Sequence, residues 1–195
     1  MNPTELYLNL LKKSLINELY LEVELRILYI FSMLASGRPV DADIVREFPS
    51  RMGDWVKNAR GRLEVGSPEW NTKVQMPDGS VRELNLRNVS QFSHSMVGRA
   101  RLDNVQFCLD RIREEGIQGD LCEAGAWRGG VTIFMRGYLA AHEMTDRLVW
   151  AADSFEGLPV PSLPQDEGYD LSKSKSPVLA VSLEEVQNTF RLYDL

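Results

Sequence analysis

Two carboxylates, a glycine turn and one guanidinium crowd into a short span in the second half of the chain. The run Gly119-Asp120-Leu121-Cys122-Glu123-Ala124-Gly125-Ala126-Trp127-Arg128-Gly129-Gly130 reads as a short strand, a glycine-bearing turn and a helix start. Val131, Phe134, Met135, Tyr138 and Leu139 then recur at helical spacing and give one apolar face. A second apolar run, Leu148-Val149-Trp150-Ala151-Ala152, ends at Asp153. Strand, glycine turn, helix and a strand ending in an acid make the first βαβ unit of a nucleotide-type Rossmann sheet.

The residues of the turn narrow the ligand. A dinucleotide fingerprint places a second glycine where the backbone must approach a pyrophosphate. Trp127 holds that place here, and Glu123 ends the strand beside it. Bulk and like charge both argue against a pyrophosphate. They suit a ligand with a cationic end and no phosphate, such as S-adenosylmethionine, which carries an ammonium and a sulfonium. Asp153 then stands where an acid accepts hydrogen bonds from ribose hydroxyls. Arg128 falls in the first helical turn, where the helix dipole disfavours a cation. It is read either as a partner for the ligand carboxylate or as a surface arginine paired with a nearby acid.

Three stretches carry a family resemblance: Gly119 to Gly130, Ile133-Phe134-Met135-Arg136-Gly137, and Ala152-Asp153-Ser154-Phe155-Glu156-Gly157-Leu158-Pro159. They are similar to the macrocin O-methyltransferases, which methylate sugar hydroxyls of macrolides and related natural products with S-adenosylmethionine and magnesium. The likeness is densest from His94 to Leu195, with a short piece near Glu5 to Asn17. It implies a Rossmann-like class I methyltransferase fold in the α/β class. It also implies that Glu123, Gly125, Trp127, Arg128, Gly129, Asp153, Ser154 and Phe155 position the donor. His94-Ser95-Met96-Val97-Gly98 resembles a segment that lies against the donor, adding Ser95 and Met96; Ser95 is equally read as a helix N-cap. In the resembled family a metal binds two vicinal hydroxyls, a base takes a proton, and the alkoxide attacks the sulfonium methyl. The magnesium ligands are expected beyond Leu195, and no catalytic base is assigned. The chain reads as the N-terminal portion of a longer enzyme, with only two strands of the main sheet counted and no methyl transfer expected of it alone.

Two rivals remain on the sequence. One is an NAD-dependent oxidoreductase built on the same βαβ start, which Trp127 disfavours. The other is a non-catalytic truncated methyltransferase acting as a partner subunit.

Composition is that of a soluble globular protein. Of 195 residues, 44% are apolar and 26% charged, which is ordinary for one domain with a core. The net charge of −6 gives no electrostatic footprint for nucleic acid or an anionic membrane. Cys108 and Cys122 sit in apolar-patterned segments and are expected as buried free thiols. That usage suits a cytoplasmic location, and no signal peptide pattern is read at the N-terminus.

The remaining elements must position the turn. Residues 1–93 read as an N-terminal helical extension with a hairpin near 72–84, and 94–195 as the first part of the methyltransferase domain. Thr4 to about Ala35 is the first helical region, capped by Thr4 and interrupted around Leu21 to Glu24. Leu8, Leu11, Leu15, Leu19 and Tyr20 mark its apolar stripe, with Lys12, Lys13 and Glu18 elsewhere. The stripe packs on the core or makes a homo-oligomer contact. Asp41 or Asp43 caps a short helix ending before Pro49, and Met52 to Leu63 reads as a further short helix or an irregular segment. Pro77-Asp78-Gly79 is turn chemistry for the hairpin. Arg99 to Glu115 is a helix buried through Leu102, Val105, Leu109 and Ile112 and ended by Gly116. Leu158 to Ser176 reads as a long loop above the strand ends, which the resemblance makes a lid over a small hydroxylated acceptor. Ser182 to Glu185 is a capping box for a helix to about Leu192.

Overall fold

The computed structural model describes residues 2–65, 71–75, 80–85 and 92–195. The chain divides into two compact units, residues 9–104 and residues 1–8 with 105–195.

Unit 9–104 is helical with a small hairpin. The first helix, α1 (Pro3–Leu15), enters it from the other unit, and α2 (Leu21–Ala35) follows. The cap of α1 is Asn2 rather than Thr4. Glu5 N–H donates to Asn2 Oδ1 at 2.8 Å, and Asn2 N–H donates back to Glu5 Oε2 at 3.1 Å, with Pro3 opening the helix. The break between α1 and α2 comes earlier than the apolar pattern predicts. Asn17 adopts φ +58, and its side-chain amide donates to the buried Glu24 carboxylate at 2.5 Å. A short polar side chain tolerates that backbone and supplies its own bond. Tyr20 accordingly lies outside a helix and exposed, and Leu19 is exposed too. Lys12, expected on the polar side, is buried and paired with Asp103.

Asp41 caps α3 (Ala42–Arg46), accepting from Asp43 N–H at 2.8 Å and Ile44 N–H at 3.3 Å. Pro49 sits in the first turn of α4 (Phe48–Arg51), where its missing donor costs nothing. Helix α5 (Gly53–Val65) completes the layer. Leu21, Leu25, Tyr29, Phe48, Met52 and Trp55 form the core between these helices. Phe48 is tilted against both Tyr29 and Trp55, at centroid distances of 6.2 and 5.8 Å. Strands β1 (Asn71–Gln75) and β2 (Val81–Asn85) pair antiparallel in a sheet of their own, as the hairpin reading expects. The turn assigned to Pro77-Asp78-Gly79 lies outside the described residues.

The second unit holds the βαβ element. Helix α6 (Arg99–Glu114) crosses from the first unit and is ended by Gly116 at φ +64. Strand β3 (Leu121–Ala124) pairs parallel with β4 (Val149–Ala152), Leu121 opposite Val149 and Ala124 opposite Ala152. Asp120 pins the start of the pair, accepting Leu148 N–H at 2.9 Å and the Trp150 indole N–H at 2.8 Å. Between the strands runs α7 (Gly130–Ala141), buried almost all round through Ile133, Phe134, Tyr138 and Leu139. The pleat sends Leu121, Glu123, Val149 and Ala151 to the more covered face. Cys122, Ala124, Trp150 and Ala152 lie on the exposed one, so Cys122 is exposed rather than buried. Cys108 is also exposed, on the side of α6 away from Leu102 and Leu109.

The segment after β4 is less bare than a plain loop. It carries a bridge from Leu158 to Ser172 and two 3-10 turns, Pro164–Tyr169 and Pro177–Leu179. The final helix, α8 (Leu183–Leu192), starts on the expected capping box, Ser182 with Glu185. Among the described residues, no helix is long and apolar enough to cross a membrane.

Candidate functional site

The turn between β3 and α7 is stitched to the ends of both strands by the two acids. Helix α7 begins after Gly129, whose φ is +81 and which has no side chain to cap the first turn. Glu123 takes over that task from the strand. Its Oε2 accepts the backbone N–H of Thr132 at 2.7 Å and also the Thr132 hydroxyl. Thr132 is the third residue of the helix, the position an N-cap side chain normally serves. Oε1 carries no bond among the described residues. Burial pushes the Glu123 carboxyl up, the two Thr132 bonds pull against that, and the nearby Asp153 charge adds to the rise.

Asp153, immediately after β4, works on the turn from the other side. Oδ2 accepts Ala126 N–H at 2.7 Å and Trp127 N–H at 3.2 Å, and Oδ1 accepts Phe155 N–H at 2.8 Å. The backbone of the two elements also meets directly, Gly125 N–H donating to Ala152 O at 2.9 Å. Burial would raise the Asp153 carboxyl; the N–H donors outweigh it and hold it below the usual carboxylate range. Trp127 and Phe155, two of its donors, are both in the left-handed region, at φ +48 and +57. Each such residue costs about 1–2 kcal/mol against a normal backbone.

The far side of the turn is packed. The Trp127 indole N–H donates to Val178 O at 2.7 Å, fastening the Pro177–Leu179 turn over it. The Arg128 guanidinium lies 4.4 Å from the Trp127 ring centre, a cation-π contact. Arg128 therefore precedes α7 rather than sitting in its first turn, and its charge helps hold Glu185 of α8 low, after the Ser182 bonds that dominate there. A Cβ on Gly129 would fall 3.1 Å from both Phe190 and Val186, and one on Gly157 would fall 2.8 Å from the Ala180 Cβ. By contrast, nothing lies within 4 Å of where a Gly125 Cβ would be, so the backbone there is open to a ligand. Beside the turn, Ala151, Phe155, Leu183, Val186 and Phe190 line an open, mostly apolar cavity of about 480 Å³.

Among the sequence-derived candidates, Glu123, Gly125, Trp127, Arg128, Gly129, Asp153, Ser154 and Phe155 fall in this one region of the second unit. The Ser154 hydroxyl donates to Gly157 O at 3.2 Å and closes the turn after β4. Ser95 and Met96 belong to the other unit. Ser95 is buried, and its hydroxyl accepts Val97 N–H at 3.3 Å, so it shapes a turn ahead of α6 rather than capping that helix. Thr132 and the Val178 carbonyl were not singled out by sequence. A glycine at the cap position with Thr132 three residues on is the signal for the first; a backbone carbonyl leaves none.

The residues present fit an adenosyl donor with an amino-acid end: an open glycine backbone, a carboxylate with a bare oxygen, and a guanidinium stacked on Trp127 of the same turn. Metal is a different case. Among the described residues no three His, Cys, Asp or Glu side chains converge into a set that could hold magnesium.

Comparison with known proteins gives the family. A family model described as Macrocin-O-methyltransferase (TylF) matches residues 4–195. The chain belongs to the macrocin O-methyltransferase family. Three curated relatives are similar. An 8-demethyl-8-(2,3-dimethoxy-alpha-L-rhamnosyl)-tetracenomycin-C 4'-O-methyltransferase of Streptomyces olivaceus is 46% identical over 122 residues, 61% of this chain and 46% of that protein. The demethyldecarbamoylnovobiocin O-methyltransferase of Streptomyces niveus is 44% identical, over 53% of this chain and 40% of its own. The mycinamicin III 3''-O-methyltransferase of Micromonospora griseorubida is 42% identical, over 53% and 42% respectively. The chain thus spans less than half the length of the curated relatives it matches. A solved structure of the O-methyltransferase NovP superposes with a TM-score of 0.60 at 31% identity, covering 98% of this chain and 60% of that one. The family and these relatives are O-methyltransferases, and the parallel strand pair with α7 is the α/β part of this member.

Proposed function

We propose that this macrocin O-methyltransferase family member binds S-adenosylmethionine at the β3–α7 turn, in a Rossmann-like sheet, for methylation of a hydroxyl on a sugar or other natural-product acceptor. The observation that carries this is the pairing of an open Gly125 backbone with the bare Oε1 of Glu123 beside it. A bound donor supplies an electrophilic methyl on a sulfonium.

The chain's own residues bind and orient it. Glu123 Oε1 faces the donor ammonium. Arg128, steadied on the Trp127 ring, meets the donor carboxylate. Ser154 and Phe155 form the wall on the β4 side. Magnesium use is part of the same reading, as is a cytoplasmic location. Sugar methylation by the relatives named above supports the acceptor class.

Adenosyl compounds differing in their amino-acid end test the donor orientation. S-adenosylhomocysteine is expected to bind at least about tenfold more tightly than 5'-methylthioadenosine, which lacks the groups Glu123 and Arg128 would hold. Equal affinities would remove both residues from the donor site. A homo-oligomer through the N-terminal helices is also proposed, supported by the exposed Val23, Phe31 and Leu34 of α2. Phe31→Glu should lower the sedimentation coefficient; an unchanged value sinks that contact.

A further inference from the structure

We propose that Thr132 is a positioning residue for the donor: its hydroxyl and its backbone N–H together anchor one oxygen of Glu123 and so aim the other at the donor ammonium. This rests on the donor-site reading above and adds to it a residue that acts without touching the ligand.

A glutamate carboxyl is loose by nature. Its terminal torsion is broad, and one donor on one oxygen leaves the carboxyl plane free to turn. Glu123 Oε2 instead has two donors from a single residue, the Thr132 N–H at 2.7 Å and the Thr132 hydroxyl. They reach it from two separate atoms, which narrows the carboxyl to one setting. Glu123 is partly buried, and its second oxygen, Oε1, carries no bond among the described residues.

Thr132 uses its hydroxyl in an unusual way. Inside a helix a threonine ordinarily gives that hydroxyl to a carbonyl three or four residues back. Thr132 gives it to the strand. The residue is 2% exposed, so water does not compete for the bond. The frame behind it is firm, because α7 is buried through Ile133, Phe134, Tyr138 and Leu139. A carboxylate tied to such an element holds its aim better than one tied to the turn, where Gly125 and Gly129 both stand at positive φ. The same bonds keep the group charged. Burial raises the Glu123 carboxyl, the nearby Asp153 charge adds to the rise, and both Thr132 bonds oppose it. An ammonium is attracted by the charged form.

The test begins on the free chain, with no ligand. Valine at 132 keeps the shape and the N–H but loses the hydroxyl, while serine keeps the hydroxyl. The carbon NMR shift of the Glu123 carboxyl, assigned by its loss in Glu123→Gln, is followed against pH. Its midpoint should move upward in Thr132→Val and return in Thr132→Ser. A midpoint that stays in place in Thr132→Val would overturn the proposal.

Calorimetry then reads the aim. Thr132→Val should weaken S-adenosylhomocysteine about fivefold, but 5'-methylthioadenosine, which has no ammonium, by less than about twofold. Thr132→Ser should restore the native affinity. Beside Glu123→Gln, the valine substitution should cost S-adenosylhomocysteine less than about twofold, because Thr132 acts through that carboxylate alone. Equal losses for both ligands, or the same loss in both backgrounds, would show a merely structural role and overturn the proposal. A preference for S-adenosylhomocysteine that persists in full in Thr132→Val would overturn the proposal and leave the donor reading standing. A native chain that binds the two ligands equally would overturn the donor reading and the proposal with it.

Discussion

Glu123 Oε2 accepts two bonds from one residue, the backbone N–H of Thr132 at 2.7 Å and the Thr132 hydroxyl. A strand carboxylate thereby caps a helix whose own cap residue is glycine. Thr132→Val keeps the shape and the N–H but removes the hydroxyl. It should lower stability by about 1 kcal/mol at neutral pH, read from urea unfolding. The cost should shrink in acid. Burial raises the Glu123 carboxyl in the folded state. Its proton therefore favours folding below the ordinary Glu range, and that contribution is lost as pH rises through the raised value. A Thr132→Val cost that does not vary with pH would contradict the cap. Asp153 has the opposite sign: its contribution is present above the ordinary Asp range and is lost as pH falls through its lowered value.

Gly129 is constrained twice, by its φ of +81 and by Phe190 and Val186, each 3.1 Å from an added Cβ. Gly129→Ala should cost about 2–3 kcal/mol, from left-handed backbone plus displacement of α8. Equilibrium denaturation measures it. A cost under half that size would mean α8 yields freely.

Trp127→Phe isolates the indole N–H that donates to Val178 O. The ring and its stacking on Arg128 remain. Stability should fall by about 1 kcal/mol or less, since this bond is exposed. Amides at Leu179 and Ala180 should exchange faster and the neighbouring segment should be cut sooner by protease. Native rates at both would show that the bond fastens nothing.

The βαβ unit was legible because its signals are local: apolar runs at two periods, glycines between them, and an acid at each strand end. The capping box at Ser182 was legible for the same reason. What Glu123 and Asp153 bond to was not, since Thr132, Ala126, Trp127 and Phe155 offer mainly backbone amides, which leave no mark on residue type. The burial of Lys12 leaves no local mark because its partner, Asp103, is far away in sequence. The exposure of Cys122 followed from the pleat of a two-stranded sheet, not from its apolar neighbours. Asn17, left-handed and bonded to Glu24, broke the first helical region ahead of the apolar pattern.

Calorimetric titration of the chain with S-adenosylhomocysteine and, separately, with NAD tests the central claim that this turn receives a phosphate-free adenosyl donor. The account predicts saturable binding of S-adenosylhomocysteine, weakened by Glu123→Gln, and no heat from NAD. Binding of NAD in preference to S-adenosylhomocysteine, or of neither, would contradict it.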